Sequence, residues 1–89
     1  MYEFRWNGWN LDKLDKHGVS PFDAEYVVNH AKPPFPEYRG DEKWRVWGQT
    51  ITGDYLQVVY LLESSDVVFV IHARPLTDAE KRQLRRRRR

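Results

Sequence analysis

Hydrophobic and polar positions change period several times along this chain. Tyr2 to Trp6 is rich in aromatic residues and reads as a short opening strand. Leu11 and Leu14 then recur at helical spacing among Asp12, Lys13, Asp15 and Lys16. Asn7 or Asn10 can cap this helix and Gly18 stops it, which predicts a first helix over about Trp9 to His17. Ser20-Pro21-Phe22-Asp23 is a second helix start, with Ser20 as N-cap, Pro21 in the first turn and Asp23 near the positive helix end. Its buried stripe is expected at Phe22, Tyr26 and Val27, with Ala24 and Val28 at the margins.

Pro33, Pro34 and Pro36 exclude a helix between Ala31 and Gly40 and confine any strand there to an edge. From Glu42 to Gly48 the side chains alternate, placing Glu42, Trp44 and Val46 on one face and Lys43, Arg45 and Trp47 on the other. Thr52-Gly53-Asp54 is a turn signal. Tyr55 to Leu62 is apolar at nearly every position, as a central strand is. Ser64-Ser65-Asp66 makes the next turn, and Val67 to Arg74 is the last strand, stopped by Pro75. Thr77 and Glu80 form a capping box for a final helix that runs into the arginines. Those cations suit the negative helix end but repel one another, so the last turn is expected to fray. The order β-α-α, three antiparallel strands in a meander, then α predicts a small α+β domain without internal repeats.

Composition narrows the function. With 89 residues, no Cys and 40% apolar side chains, the chain has room for one compact domain. A multidomain enzyme, a large cofactor cleft, a disulfide framework and a Cys-based zinc site are excluded. The longest apolar runs, Val58 to Leu62 and Val67 to Ile71, are five residues each, far short of a membrane span. The N-terminus has no signal-peptide pattern. A soluble cytoplasmic protein with no membrane partner is expected.

Charge is distributed unevenly. Residues 81 to 89 hold seven of the fifteen basic residues and none of the thirteen acidic ones, which leaves eight basic residues and a net −5 on the first eighty. Residues 1 to 80 therefore read as a compact domain, and 81 to 89 as a basic helix end or tail. Such a tail can serve nucleic acid, an acidic partner or solubility.

No Gly-rich phosphate loop, Cys pair or HExxH occurs, and His17, His30 and His72 are scattered, with no spacing that supports a metal site. The most informative pair is His72 and Arg74, which project from one face of the last strand. Phosphodiester cleavage needs a base for the 2′-hydroxyl, an acid for the leaving oxygen and a cation for the phosphate. A His serves either proton role and Arg grips phosphate in a fork. The plain alternative is a half-buried His and an Arg in a surface ion pair. Glu42 offers a general base and Lys43 a phosphate contact, or the two are an ordinary charged strand edge. Lys16 and His17 suit a helix C-terminus without any function. Trp6, Trp9, Trp44, Trp47, Tyr38, Tyr55 and Tyr60 either stack on unpaired bases or fill the core.

Taken together, Phe4-Arg5-Trp6, the run Asn10 to Ser20 with Lys16-His17-Gly18-Val19-Ser20, Glu42-Lys43-Trp44 ahead of Gly48, and Ile71-His72-Ala73-Arg74-Pro75 before a basic helix resemble the BrnT toxin family over nearly the whole chain. The resemblance implies a RelE-like α+β domain: an N-terminal strand and two helices, a three- to four-stranded antiparallel sheet, and a C-terminal helix. It implies a metal-independent ribonuclease without cofactor that arrests translation. A ribbon-helix-helix (BrnA-like) antitoxin would neutralise it, and operator DNA would be bound only through the antitoxin complex. By matching motif, Lys16, Glu42 and Arg74 take the family's site positions. Two positions depart from the pattern, Lys43 where the family has Arg and His72 where it has Ser. Lys loses the bidentate fork, whereas His72 adds a titratable group. The expected catalytic set is Lys16, Glu42, Lys43, His72 and Arg74, with His17, Arg45, Arg82, Arg85 and Arg86 contacting RNA. Competing readings are a non-catalytic binding module of the same fold and a metal-dependent nuclease.

Overall fold

A computed structural model describes residues 1–87. Its elements are β1 (Glu3–Phe4), α1 (Gly8–Asp15), α2 (Pro21–Asn29), β2 (Glu37–Tyr38), β3 (Lys43–Gln49), β4 (Tyr55–Leu62), β5 (Val67–Pro75) and α3 (Asp78–Arg87). The caps explain several of these boundaries. Asn7 accepts from the Asn10 backbone, while the Asn10 side chain returns a bond to the Asn7 N–H. Asn10 is fully buried and its amide also donates to the Arg5 carbonyl, so it ties the start of α1 to the end of the first strand segment. Gly18, at φ +66°, turns the chain out of α1 in the left-handed conformation that costs glycine least. Ser20 caps α2 through the Asp23 N–H, with Pro21 in the first turn. The Thr77 hydroxyl accepts from the Glu80 N–H while Glu80 accepts from the Thr77 N–H, which starts α3.

The five strands form one mixed sheet in the order β1-β5-β4-β3-β2. This corrects the expected antiparallel sheet of three or four strands. β3, β4 and β5 form the anticipated meander, but β1 adds a parallel edge through Glu3↔Val67 and Phe4↔Val68, and Glu37–Tyr38 adds a short antiparallel edge on β3. Pairs this short leave no long-range signature in sequence, and it is the bonds Glu3 N to Asp66 O and Arg5 N to Val68 O that hold the first strand.

Directly opposed residues share a face. Val46, Val58 and Ala73 face α2, and a β-carbon built on Gly48 would lie 3.2 Å from the Val27 side chain. The buried stripe of α2 is Ala24, Val27 and Val28. Phe22, expected inside, is 62% exposed, because Ala24 and not Phe22 occupies the turn nearest the sheet. The opposite face carries Trp47, Gln57 and Arg74 in one cross-strand row, and α3 covers that row.

α3 crosses residue 80 without a break, and Leu84 is fully buried. The helix runs through Arg87, and the end of the turn expected to fray, Arg88 and Arg89, lies outside the described residues. Arg87 donates to Glu37 at 3.1 Å and its guanidinium sits over Trp47 and Phe35, at 5.2 and 5.8 Å from the ring centroids. These contacts oppose the repulsion among neighbouring arginines. Among the described residues, no helix is long and apolar enough to cross a membrane.

Candidate functional site

Beside the part of the sheet that α3 covers lies a row made by Arg45, Val59 and His72. A bulge between Val59 and Tyr60 puts Ile71 out of register just before His72, and a bulge of this kind locally re-aims a strand. Val59, Leu61 and His72 on this stretch are only half-buried. α1 packs along β5 at its margin. At about 100° per residue, Trp9 and Lys13 fall on one flank of that helix, and Leu11, Asp12 and Asp15 on the other, while Lys16 caps the helix and His17 lies in the turn that follows. The first flank meets β5: Trp9 stacks on Phe69 with centroids 5.9 Å apart, and the His17 ring meets His72 edge-on at 5.4 Å.

Burial depresses the pKa of His72 below its ordinary value, and the charges of His17, Arg74 and Lys13 add to the effect. The shift favours the neutral His72 ring, the form that accepts a proton.

Arg74 lies next to His72 on the same strand face, opposite Gln57. Its fork is closed on Glu80, with contacts of 2.7 and 2.8 Å to the two carboxylate oxygens, and it also reaches the Pro75 carbonyl at 3.0 Å. The pairing raises the Arg74 pKa and brings Glu80 down to about 2, with the Arg74 hydrogen bond as the leading cause. The ion pair weighed as the plain alternative is thus present, and a phosphate at Arg74 would have to displace the Glu80 carboxylate.

Lys43 opens β3 opposite Leu61 and is exposed. By its cross-strand partners it lies on the face of His72, two strands away, or ~10 Å laterally. Glu42 is not in the strand, which corrects the expected alternation from residue 42. Asp41 and Glu42 take φ of +52° and +63°, and the Glu42 N–H donates to the Tyr38 hydroxyl at 3.1 Å, so the residue belongs to the turn.

Arg45 is engaged within the protein. It donates to Glu37 at 2.8 Å, lies 4.7 Å from the Trp47 centroid and has 16% of its side chain exposed, with Nε buried and unpartnered. Burial alone would raise Glu37, but the hydrogen bond from Arg45 and the charges of Arg87 and Arg45 hold its carboxyl below the usual range. Lys16 is exposed at the end of α1, and Arg82, Arg85 and Arg86 are exposed along α3.

The cluster is therefore His72 with His17, Lys13 and Arg74, with Lys16 and Lys43 at its borders. Trp9 is one of the aromatic residues that the sequence offers for base stacking, whereas nothing in the sequence singles out Lys13. Helical spacing from Trp9, at i+4, is the signal that finds Lys13. Among the described residues no three His, Asp or Glu side chains converge on one point. Two cavities, of about 510 and 210 Å3, flank Gly18 and Val19, and none of these groups lines either of them. The chain matches no protein-family model and no curated protein.

Proposed function

We propose that this chain is a BrnT-like ribonuclease toxin of RelE-like fold, the toxin of a type II toxin-antitoxin pair. It would act in the cytoplasm on RNA without a metal ion and inhibit translation. A ribbon-helix-helix, BrnA-like antitoxin would neutralise it and carry the complex to operator DNA. The observation that carries this reading is the half-buried His72 ring lying edge-on to His17, with Lys13 near it and Arg74 beside it on the same strand face.

In this reading His72 takes the proton of the 2′-hydroxyl, which attacks the adjacent phosphorus as the bond to the 5′-oxygen breaks. Arg74, once released from Glu80, and Lys43 and Lys16 stabilise the phosphate charge. The 5′-oxygen leaves with a proton taken from water, and the products are a 2′,3′-cyclic phosphate and a 5′-hydroxyl. Of the two candidate bases, Glu42 and His72, this reading assigns the role to His72, which lies on the strand face of Arg74, whereas Glu42 belongs to the turn before β3.

The test is incubation of the purified protein with unstructured RNA in EDTA. Cleavage to a cyclic phosphate is expected, and His72→Ala should slow it by about 10² or more, the range for loss of a general base. Cleavage only after magnesium is added would overturn the metal-free mechanism. Induced expression should also arrest growth, and Arg74→Ala should relieve the arrest. The closed Arg74–Glu80 pair favours a second reading, a non-catalytic binding module. A folded protein that neither cuts RNA nor arrests growth would establish that one.

A further inference from the structure

The flank of α1 that borders His72 and the turn after it carry a series of side chains whose chemistry changes along its length. Trp9 and Lys13 stand one turn apart on the helix, a step of ~6 Å, and His17 follows in the turn just beyond the C-cap Lys16. Each has a counterpart or neighbour that fixes its position. Trp9 lies nearly parallel to Phe69, at 18° between planes, and is 52% exposed. Lys13 holds its ammonium 5.2 Å from the Trp9 centroid. His17 abuts His72. Arg5 covers Phe69 at 4.1 Å and fixes that ring beneath Trp9.

A tryptophan supported from one side and half exposed is a stacking platform, since any base presents a π-face to it. An ammonium already lying by that ring moves aside at little cost, being a compact charge on a flexible stem. It then meets the phosphate next to the stacked base. One helical turn further on stand the two imidazoles. The acidic residues of α1, Asp12 and Asp15, point from the other flank, so the row itself carries no carboxylate.

We infer that the row Trp9, Lys13, His17 is a track for an unpaired RNA strand, one base stacked on Trp9, the following phosphate at Lys13, and the strand leading on to the His17–His72 pair. This deepens the nuclease reading, on which it rests for the identity of the strand as RNA. A duplex is excluded by the requirement for a free base face, so the substrate is single-stranded or is opened at the site.

The experiment uses the full chain and a fluorescein-labelled 2′-O-methyl oligouridine, which lacks the attacking hydroxyl and so reports binding without cleavage. Fluorescence anisotropy is measured for the single strand and for its duplex with a complement. Trp9→Leu, which keeps apolar packing on Phe69, should weaken single-strand binding by about tenfold, within the range for loss of one stacked base. Trp9→Phe should retain most of the affinity, and Lys13→Gln should lower the salt slope by about one. Phe22→Ala, at an exposed site on α2, should bind as the wild type does. Wild-type affinity in Trp9→Leu, or a duplex bound as tightly as the single strand, would overturn the track. Trp9-dependent binding without any cleavage of unmodified oligouridine would overturn the nuclease reading and leave the track standing. Cleavage by the wild type with the same KM in Trp9→Leu would do the reverse.

Discussion

Arg74 and Glu80 are joined by two parallel contacts of 2.7 and 2.8 Å, so the last strand and the first turn of α3 close on each other through a single fork. Glu80 also accepts from the Thr77 N–H. One carboxylate therefore caps a helix and occupies the guanidinium nearest His72. Removing it has opposite effects on stability and on phosphate binding. Glu80→Ala is expected to lower stability by about 1–3 kcal/mol, the cost of a lost cap and a half-buried charge pair. It should also raise affinity for single-stranded RNA and steepen its salt dependence, because one more cation is free. Urea unfolding and anisotropy on the same variant check both. Unchanged affinity in a folded variant would mean that Arg74 serves only to seat α3.

The same pair predicts an acid limb. The Glu80 pKa falls from 4.5 to about 2, chiefly through the Arg74 hydrogen bond. A carboxyl with a depressed folded-state pKa stabilises the protein above its unfolded value, and that stability is lost as pH falls through the folded one. The window is thus between pH 4.5 and about 2. The contribution is about 1–2 kcal/mol after allowance for solvent screening. Glu80→Gln should lack this part of the acid dependence in urea midpoints measured across the window.

His72 predicts a second pH dependence, at higher pH. Its pKa is lowered by burial first and then by His17, Arg74 and Lys13. Because the unfolded chain takes up the proton more readily, stability should decline as pH drops below the ordinary His value of 6.5. Proton NMR should give a His72 midpoint below that value, and His17→Ala should move the midpoint up. A midpoint that does not respond to His17→Ala would show that the two rings do not interact.

Glu42 offers a test that separates turn from catalyst. At φ +63° a side chain bears strain that glycine does not. Glu42→Gly is expected to stabilise the fold by about 0.5–1 kcal/mol and to leave RNA cleavage at the wild-type rate. Loss of cleavage in a variant with a raised Tm would return Glu42 to the site.

Gly48 is constrained by space. Its β-carbon would come within 3.2 Å of the buried Val27 Cγ1, so Gly48→Ala makes that methyl give way slightly and is expected to cost about 1 kcal/mol. A thermal melt suffices to check it.

Local signals were read well from sequence. Tyr55 to Leu62 is β4 to the residue, and the caps at Ser20 and Thr77 stand where the hydroxyls suggested. What the chain conceals is what one segment does to another. Phe22 has the spacing of a buried residue, but the orientation of α2 on the sheet puts Ala24 there instead. Glu42 continues an alternation that the backbone abandons one residue earlier, under the turn fixed by Gly40 and Tyr38. For the site, His72 and Arg74 were legible as neighbours from period two. Their partners His17 and Glu80 lie on other elements, and no local pattern announces which cation will be left open and which neutralised.

The anchoring of Arg87 on Glu37 has a consequence for the size of any bound strand. α3 begins at β5, beside Arg74, and ends over β2, so it lies across the sheet like a diagonal strap. The arginines at its far end stand three strand spacings, ~14 Å, from the strand that carries His72. Short oligonucleotides seated on α1 would not reach them. Affinity should therefore rise in two stages with oligonucleotide length, first as the row on α1 fills and again when the strand becomes long enough to meet the far end of the strap.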